Sequence, residues 1–413
     1  MDLSQVGEEL GAEGHQLIRD VCEVAWTRLP GSEGEQKAQE FLREKLTEYG
    51  ADEVGVRQYK VYAKFFLWWP RLSIIFFYIS LAFYFFIPVL AFAFAVLSTV
   101  NVLMKFFSFT FLDVFFPAKP SSNVVGKLHA SQAGESGKPK HVIILGGHTD
   151  SNYEYPIGGG MGMIKYVVPV FVIIGVWVLG TFILFIMTAL GAAYGPFWIW
   201  FFIVVLICIP YASWIGWRLV STLPVAGAND NLSGVAVAVE TFKYIAQHPE
   251  ERPANVDLWA VCFGSEEGGM MGSKNMARDV RTMLDAGTFP GESIWVVNFD
   301  TVGANGPLHI ATKEPMYRVG AYDPVVYTAL AAAAAKAGVD HVVKSLPAGG
   351  TDSAPFGRLG IPAAGVLCFG DGTSPPNWHT RNDIPDNVDP RGLVNCIKMA
   401  IQFIQDVDQS LSN

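Results

Sequence analysis

Val261-Cys262-Phe263-Gly264-Ser265-Glu266-Glu267-Gly268-Gly269 is the stretch on which the fold of this chain turns. Residues 256–263 are a β-branched and aromatic run, which predicts a buried strand stopped by a glycine. Two adjacent carboxylates follow, just beyond the carboxyl end of that strand, where an open α/β sheet presents its chemistry. Consecutive side chains there need not point the same way, so one glutamate is free to bind a metal while its neighbour handles a proton. An acidic pair in a turn is by itself equally consistent with a solvated surface. The surrounding sequence has to decide.

Outward from this stretch, other polar groups fall where strands run out. Residues 142–145 are a short apolar strand that delivers Gly146-Gly147-His148-Thr149-Asp150-Ser151. Asp230 lies in Gly227-Ala228-Asn229-Asp230-Asn231-Leu232-Ser233-Gly234, ahead of a helix expected over 232–246. Residues 294–299 read as a strand ending at Asp300, residues 363–369 as another, and His379 follows in Asn377-Trp378-His379-Thr380-Arg381-Asn382-Asp383. Helices are expected over 325–337 and 388–407. This alternation predicts an α/β fold, a mostly parallel or mixed sheet flanked by helices, although strand order is not readable from it. Two imidazoles and three carboxylates could hold two divalent ions if one carboxylate bridged them. Mixed nitrogen and oxygen donors suit zinc, with cobalt or manganese as substitutes. Glu266 would then be left to take a proton from water.

Composition adds a second theme. Of 413 residues, 51% are apolar, 13% aromatic and only 16% charged, and the apolar excess is concentrated in two regions. Residues 72–104 carry no Asp, Glu, Lys or Arg and precede a second aromatic-rich run over 106–116. A spanning helix needs roughly 20 apolar residues, so 72–104 is long for one span and short for two. Pro88 could mark the tip of a hairpin, and two short spans, a re-entrant hairpin or one tilted span all remain open. Residues 166–190 and 197–217 are each long enough to cross a bilayer, split by a turn at Gly191-Ala192-Ala193-Tyr194-Gly195-Pro196. Several of Trp177, Trp198, Trp200, Trp214 and Trp217 sit near the ends, where rings favour the interface.

Basic residues flank these regions and avoid their tips: Arg57, Lys60, Lys64, Arg71 and Lys105 around the first, Lys165 and Arg218 around the second. The positive-inside bias predicts an integral membrane protein with its hydrophilic segments in the cytoplasm. The acidic, polar residues 1–14 show no cleavable signal peptide, and Cys22, Cys208, Cys262, Cys368 and Cys396 form no disulfide framework, in keeping with that side. A formal charge of −9 argues against a nucleic-acid surface. The implied organisation is one α/β domain written in pieces, residues 1–64, 118–165 and 218–413, interrupted by membrane hairpins over 65–117 and 166–217.

The first segment is soluble in character, with helices expected over 15–26 and 33–49 and a strand over 54–61. Ser32 is placed to cap the second helix and Gly50 to close it. His15, His129, His141, His248, His309 and His341 lack a strand-end setting and read as surface or structural residues. Gly158, Gly159, Gly160 and Gly162 follow no strand and read as an approach to the membrane rather than a nucleotide loop.

Taken together, the hydrophilic chain resembles the M28 family of zinc peptidases, the aminopeptidase type with a co-catalytic metal pair. The matching stretches are Arg28-Leu29-Pro30-Gly31-Ser32, His148-Thr149-Asp150-Ser151, Gly227 through Gly234, Gly264-Ser265-Glu266-Glu267 with Gly272-Ser273, Asn298-Phe299-Asp300, Thr351-Asp352-Ser353-Ala354-Pro355-Phe356 and His379-Thr380. The resemblance implies that Asp230 bridges two zinc ions, that His148 and Asp300 complete one site, and that Glu267 and His379 complete the other. It implies Glu266 as general base, Asp150 behind the His148 ring, Asp352 near the pocket wall and Asp383 bracing the loop of His379. The family does not normally carry membrane hairpins; both insertions fall between motifs. The expected substrate is a peptide trimmed from its amino terminus, apolar if the site opens toward lipid. A glutaminyl-cyclase-like enzyme with one zinc and a catalytically silent membrane scaffold are the alternatives, and endopeptidase action and self-association stay open.

Overall fold

A computed structural model describes residues 3–62, 64–106, 115–132, 139–157, 161–192 and 195–412. The chain divides into two compact units, residues 1–63, 118–152 and 224–413 forming the first and residues 64–117 and 153–223 the second.

In chain order, α1 (Leu3–Val24) and α2 (Glu33–Glu48) lead into β1 (Glu53–Val61). The first insertion follows as α3 (Lys64–Phe83) and α4 (Pro88–Phe106), before β2 (Lys119–Leu128) and β3 (His141–His148). The second insertion holds α5 (Met161–Ala189) and α6 (Pro196–Arg218). The chain then runs through α7 (Ser233–Gln247), β4 (Val256–Phe263), α8 (Met271–Asp285), β5 (Ile294–Asp300), β6 (Leu308–Ala311) and α9 (Pro324–Lys336). It ends with β7 (His341–Lys344), α10 (Ser353–Arg358), β8 (Ala363–Cys368) and α11 (Pro390–Ser412).

The first unit is built on one mixed eight-stranded sheet in the order β1-β2-β4-β3-β5-β8-β6-β7. Its four central strands, β4, β3, β5 and β8, run parallel, and every residue of β3 and β4 is buried. Burial on both faces requires helices on both faces. Ile143 and Leu145 of β3 point into the layer made by α1, α7 and α11, while Val142 and Ile144 point into the layer that includes α8. Because the parallel strands share a direction, their carboxyl ends line one edge, and the candidate residues gather there. Gly147 permits a close approach at that edge: a Cβ on it would meet the backbone of Gly234 2.5 Å away, at the start of α7.

Helix α1 begins at Leu3, twelve residues before the expected start. Gly7, Gly11 and Gly14 disguised it in the sequence. A Cβ on Gly7 or Gly11 would collide with Lys398 or Val394 of α11, so these glycines let two helices touch. Strands β2, β6 and β7 and helices α8 and α10 have no counterpart in the sequence reading. In α2, Ser32 Oγ accepts from Glu35 N at 3.2 Å, the expected cap.

Among its described residues the second unit has two helices long and apolar enough to cross a membrane, over residues 163–189 and 196–218. Residues 72–104 form two antiparallel helices with Pro88 at the first position of α4, where its missing N–H costs nothing. The pair is tied by polar groups: Ser98 Oγ donates to Ser73 O at 2.8 Å, and Asn101 Nδ2 donates to Trp69 O and to Ser73 Oγ at 2.7 and 2.6 Å. Trp177 Nε1 of α5 donates to Ser80 Oγ of α3 at 2.8 Å. Most of the aromatic run over 106–116, and Gly158, Gly159 and Gly160, lie outside the described residues.

Candidate metal centre

His148 is the last residue of β3 and Asp300 the last of β5; Glu266 and Glu267 follow β4, Asp230 precedes α7, and His379 lies in the loop after β8. The fold brings all six together. His148, Asp230 and Asp300 form one trio and Asp230, Glu267 and His379 another, with the ligand atoms of each within 4.8 Å of one another. Asp230 is shared. Its Oδ1 stands 3.2 Å from His148 Nε2 and its Oδ2 3.0 Å from His379 Nε2. Asp300 Oδ2 is 3.9 Å from His148 Nε2, and Glu267 Oε1 is 2.9 Å from His379 Nε2. Glu266 belongs to neither trio, but its Oε2 lies 3.9 Å from His148 Nε2.

A second layer of side chains fixes these positions. Asp150 accepts from Glu266 N at 2.9 Å and Glu267 N at 3.0 Å, so its carboxylate holds the glutamate turn and stands 3.5 Å from His148 Nδ1. That ring nitrogen is also 3.1 Å from the Asp150 carbonyl oxygen. Asp383 accepts from Asn229 N at 2.6 Å and Asp230 N at 3.1 Å, so its carboxylate braces the loop of Asp230 rather than that of His379. Asp352 is fully buried, accepts from Ser273 Oγ, and places its charge near Glu266 and Asp300.

Three supporting residues escaped the sequence reading. Asn152 donates to Glu267 Oε2 at 2.5 Å, which turns Oε1 toward His379. Glu35 accepts from Ser265 N at 2.7 Å, Ser265 Oγ at 2.8 Å and Gly31 N at 2.7 Å, holding the residue before Glu266 in a left-handed conformation (φ 52°). The spacing Ser32 to Glu35 is that of a capping box, which hid this longer reach. Arg28, wholly buried, donates to Thr149 O at 2.7 Å and Gly227 O at 3.0 Å, joining the loops of His148 and Asp230. A charge inside Arg28-Leu29-Pro30-Gly31-Ser32 was the available signal.

Electrostatics test whether the cluster suits cations. Glu35, Asp150, Asp230, Glu266, Glu267, Asp300, Asp352 and Asp383 crowd this edge. Against them the described residues set Arg28, His148 and His379. Burial drives the Glu266 carboxyl well above its ordinary range; His148 opposes the shift, and Glu267, Asp352 and Asp300 add to it. Burial likewise raises Asp300 and Glu267, and pushes Asp352 and Asp383 up to about 7. Burial would lower both imidazoles, yet the carboxylates lift His148 well above its usual value and His379 to about 10. Asp230 moves the other way: burial acts to raise it, and the two imidazoles hold it below the carboxylate range. Asp230 Oδ2, though 3.0 Å from His379 Nε2, makes no aligned hydrogen bond. Nitrogen and oxygen donors, excess buried negative charge and a carboxylate shared by both trios fit divalent ions.

The remaining histidines lie elsewhere, each with its own neighbour: His15 with Pro385 O, His129 with Asp257, His141 with Ser293, His248 with Tyr244 O, His309 with Lys344 O and His341 with Val339 O.

Residues 215–404 match the sequence model of peptidase family M28. The fold is similar to an aminopeptidase from Aneurinibacillus sp. strain AM-1 (TM-score 0.56, 15% identity, covering 98% of this chain and 95% of that one). It is similar to a zinc aminopeptidase from Bacillus subtilis (TM-score 0.56, 13% identity, 96% and 95%). A glutaminyl cyclase from Porphyromonas gingivalis matches equally well (TM-score 0.56, 14% identity, 96% and 98%). No curated protein matches by sequence.

Proposed function

We propose, from the premise that the chain belongs to peptidase family M28, that it is a membrane-held aminopeptidase working with two zinc ions. The observation that carries this reading is the sharing of Asp230 by two complete trios with Glu266 beside them. His148, Asp230 and Asp300 would hold one ion and Asp230, Glu267 and His379 the other; cobalt or manganese suits the same donors. Such a pair, when bound, lowers the pKa of water and polarises a carbonyl oxygen.

The chain supplies the rest. Asp150 and Glu35 fix the backbone on either side of the Glu266 turn, so that its carboxylate is aimed rather than mobile. Glu266 takes the proton of the attacking water at a carboxylate oxygen and returns it to the departing amine. The side chain is only 12% exposed, which limits competing solvent. Asp383 keeps the Asp230 loop in place, and Asn152 keeps one oxygen of Glu267 turned inward. The substrate is a peptide with a free amino terminus. On this reading helices α5 and α6 cross the bilayer, and Arg71 beside the first hairpin with Lys165 and Arg218 at the flanks of the second favours a catalytic unit on the cytoplasmic side.

The test is metal content together with cleavage of a mixed peptide library by purified protein in lipid, read as product masses. Two metals per chain and stepwise loss of amino-terminal residues are expected. One metal with water loss from amino-terminal glutamine would replace this reading by a cyclase. Full peptidase activity after thorough chelation would refute a metal-dependent mechanism.

A further inference from the structure

We infer that the first hairpin of the apolar unit crosses the bilayer in full beside the second, so that four helices span and the turn from Tyr84 to Ile87 reaches the far interface. The inference rests on the proposed reading that α5 and α6 are spans. It is carried by the level at which the hairpin meets those helices and by an inside-out distribution of its polar groups.

Level is read from contacts within the unit. At the near end the Arg71 guanidinium donates to Val220 O at 3.1 Å, just past the end of α6, and lies 5.8 Å from the Trp217 ring. Ile74 packs where Gly216 has no side chain: a Cβ there would come within 2.2 Å of Ile74 Cγ1. Tyr78 Oη and Ser213 Oγ then share a hydrogen bond. Helix α3 therefore climbs antiparallel to α6 and in register with it. At the far end Tyr84 Oη donates to Trp198 O at 3.1 Å, in the first turn of α6, and the Phe85 and Phe202 ring centroids are 4.9 Å apart. Helix α4 gives the same level against α5. Phe92 meets Phe182 and Phe185 with ring centroids 5.2 and 6.2 Å apart. One turn back from Phe92 is Pro88, the start of α4, and one turn on from Phe185 is Ala189, the end of α5. The hairpin thus runs from the level at which α6 ends to the level at which it begins.

Length agrees with level. Pro88 to Met104 carries no charged residue and rises about 24 Å at 1.5 Å per residue. The hydrocarbon core is about 30 Å thick, and local thinning with snorkelling of flanking cations, here Arg71 and Lys105, covers a shortfall of a few Å.

The polar groups face inward. Ser73, Ser80, Ser98 and Asn101 are at most 3% exposed, whereas Val89, Leu97, Val100 and Leu103 of α4 are 40–46% exposed. Those four positions extend from the first turn of α4 to its last, so its outer face is apolar over the whole length. A hairpin in water would show the reverse, and a half-inserted one would turn polar where it left the lipid. The inward groups are paired, Ser80 Oγ donating to Ala91 O at 2.5 Å and Asn101 Nδ2 to Ser73 Oγ at 2.6 Å, as helices in hydrocarbon require.

The experiment labels single cysteines in the full-length protein in sealed membrane vesicles from expressing cells, with Cys208→Ala removing the native thiol that is not buried. The reagent is a bulky, membrane-impermeant maleimide, applied before and after a pore former admits it to the lumen, and labelling is read as a mass shift. Phe86→Cys and Ile87→Cys mark the first tip, Leu190→Cys the second, Glu44→Cys the exposed face of α2, and Leu97→Cys the middle of α4. The expected result is that both tips react at one stage and Glu44→Cys at the other, with loss of labelling at Leu97→Cys at both. If Leu190→Cys and Glu44→Cys fall on opposite sides but Phe86→Cys and Ile87→Cys react with Glu44→Cys or at neither stage, the first hairpin does not cross and the inference is overturned while α5 and α6 still span. Labelling of Leu97→Cys would overturn it equally. Reaction of Leu190→Cys on the same side as Glu44→Cys would overturn the spanning reading on which it rests.

Discussion

Replacing Arg28 by methionine keeps most of the side-chain volume and removes every donor. Thr149 O, Gly227 O and Ala25 O, which the guanidinium now satisfies at 2.7, 3.0 and 3.1 Å, would lose their partner in a region closed to water. Hydrogen bonds to a charged group contribute about 1.5–3 kcal/mol each. The buried cation itself carries a desolvation cost, so the net loss is smaller than three such bonds. About 3–5 kcal/mol is the expected destabilisation, within the range for breaking a buried charged network. Burial lowers the Arg28 pKa, while Asp383 and Asp150 act to raise it, and its removal leaves those two carboxylates less compensated.

The consequence extends to the metals. Thr149 adjoins His148, and Gly227 lies three residues before Asp230, so the guanidinium spans the loops that carry one ligand of the first trio and the shared bridge. Metal affinity should fall by roughly 10- to 100-fold, the usual effect of losing a group that orients ligands. Arg28→Lys should recover only part of either loss, since one ammonium cannot serve both carbonyls in the way a planar fork does. The assays are urea unfolding of metal-free protein in detergent, followed by far-ultraviolet circular dichroism, and competition for zinc with a chelating dye. An Arg28→Met protein within about 1 kcal/mol of wild type would refute the energetic reasoning. Lost stability with unchanged zinc affinity would refute the claim that Arg28 sets the two loops.

Glu266→Gln should lower turnover by about 10²- to 10⁴-fold with unchanged metal content by mass spectrometry; loss of metal would make Glu266 a ligand instead of a base. Asp230→Asn should reduce occupancy of both ions and Asp300→Asn of one, so equal stoichiometry in the two variants would contradict a shared bridge. Glu240 of α7 gives a pH test remote from the cluster: burial first, with Lys243 opposing and Glu13 adding, pushes its carboxyl from 4.5 to about 7. The folded state therefore binds this proton more tightly than the unfolded chain, and stability falls as pH rises between about 4.5 and 7. Glu240→Gln should be neutral at pH 4 and stabilising by about 3 kcal/mol at pH 8, and an equal effect at both pH values in denaturant titrations would count against it.

What the sequence disclosed of the fold was its buried parallel core. β3, β4, β5 and β8 are continuous apolar runs, and their ends are marked by polar residues that a core strand would not otherwise tolerate. His148, Glu266, Glu267 and Asp300 were legible for that reason, whereas Asp230, ahead of α7, and His379, in the loop after β8, were picked out by the motifs of the family resemblance. β6 and β7 were not, because four-residue strands near the sheet edge carry too little pattern, and β7 is largely exposed. Helix α1 was misread because Gly7 and Gly11 look like helix breakers until the neighbouring α11 is known to need their space. Arg28, Glu35 and Asn152 act through partners 121, 230 and 115 residues away. No local spacing encodes such contacts.

The insertions enter the peptidase fold without opening it. Val61, the last residue of β1, pairs with Lys119, the first of β2, and Val225 N donates to Asn152 O at 2.9 Å across the second insertion. The sheet therefore meets each insertion as a closed turn, and loop-closure entropy grows only slowly with the length between such ends. Charge is partitioned as sharply. Residues 64–117 and 153–223 contain two acidic residues, Asp113 and Glu154, against Lys64, Arg71, Lys105, Lys165 and Arg218, a formal charge of +3, so of the chain's −9 the first unit carries −12 (−9 minus +3). An acidic unit is not drawn to an anionic leaflet, and a few basic residues near the surface contribute only about 1 kcal/mol each, screened by salt. On the proposed membrane reading, attachment would therefore come from the apolar helices. Washing membranes with 1 M salt, where the Debye length is about 3 Å, should leave the protein in the pellet, and detergent should release it. Release by salt alone would show a surface-bound protein and remove the basis for spanning helices.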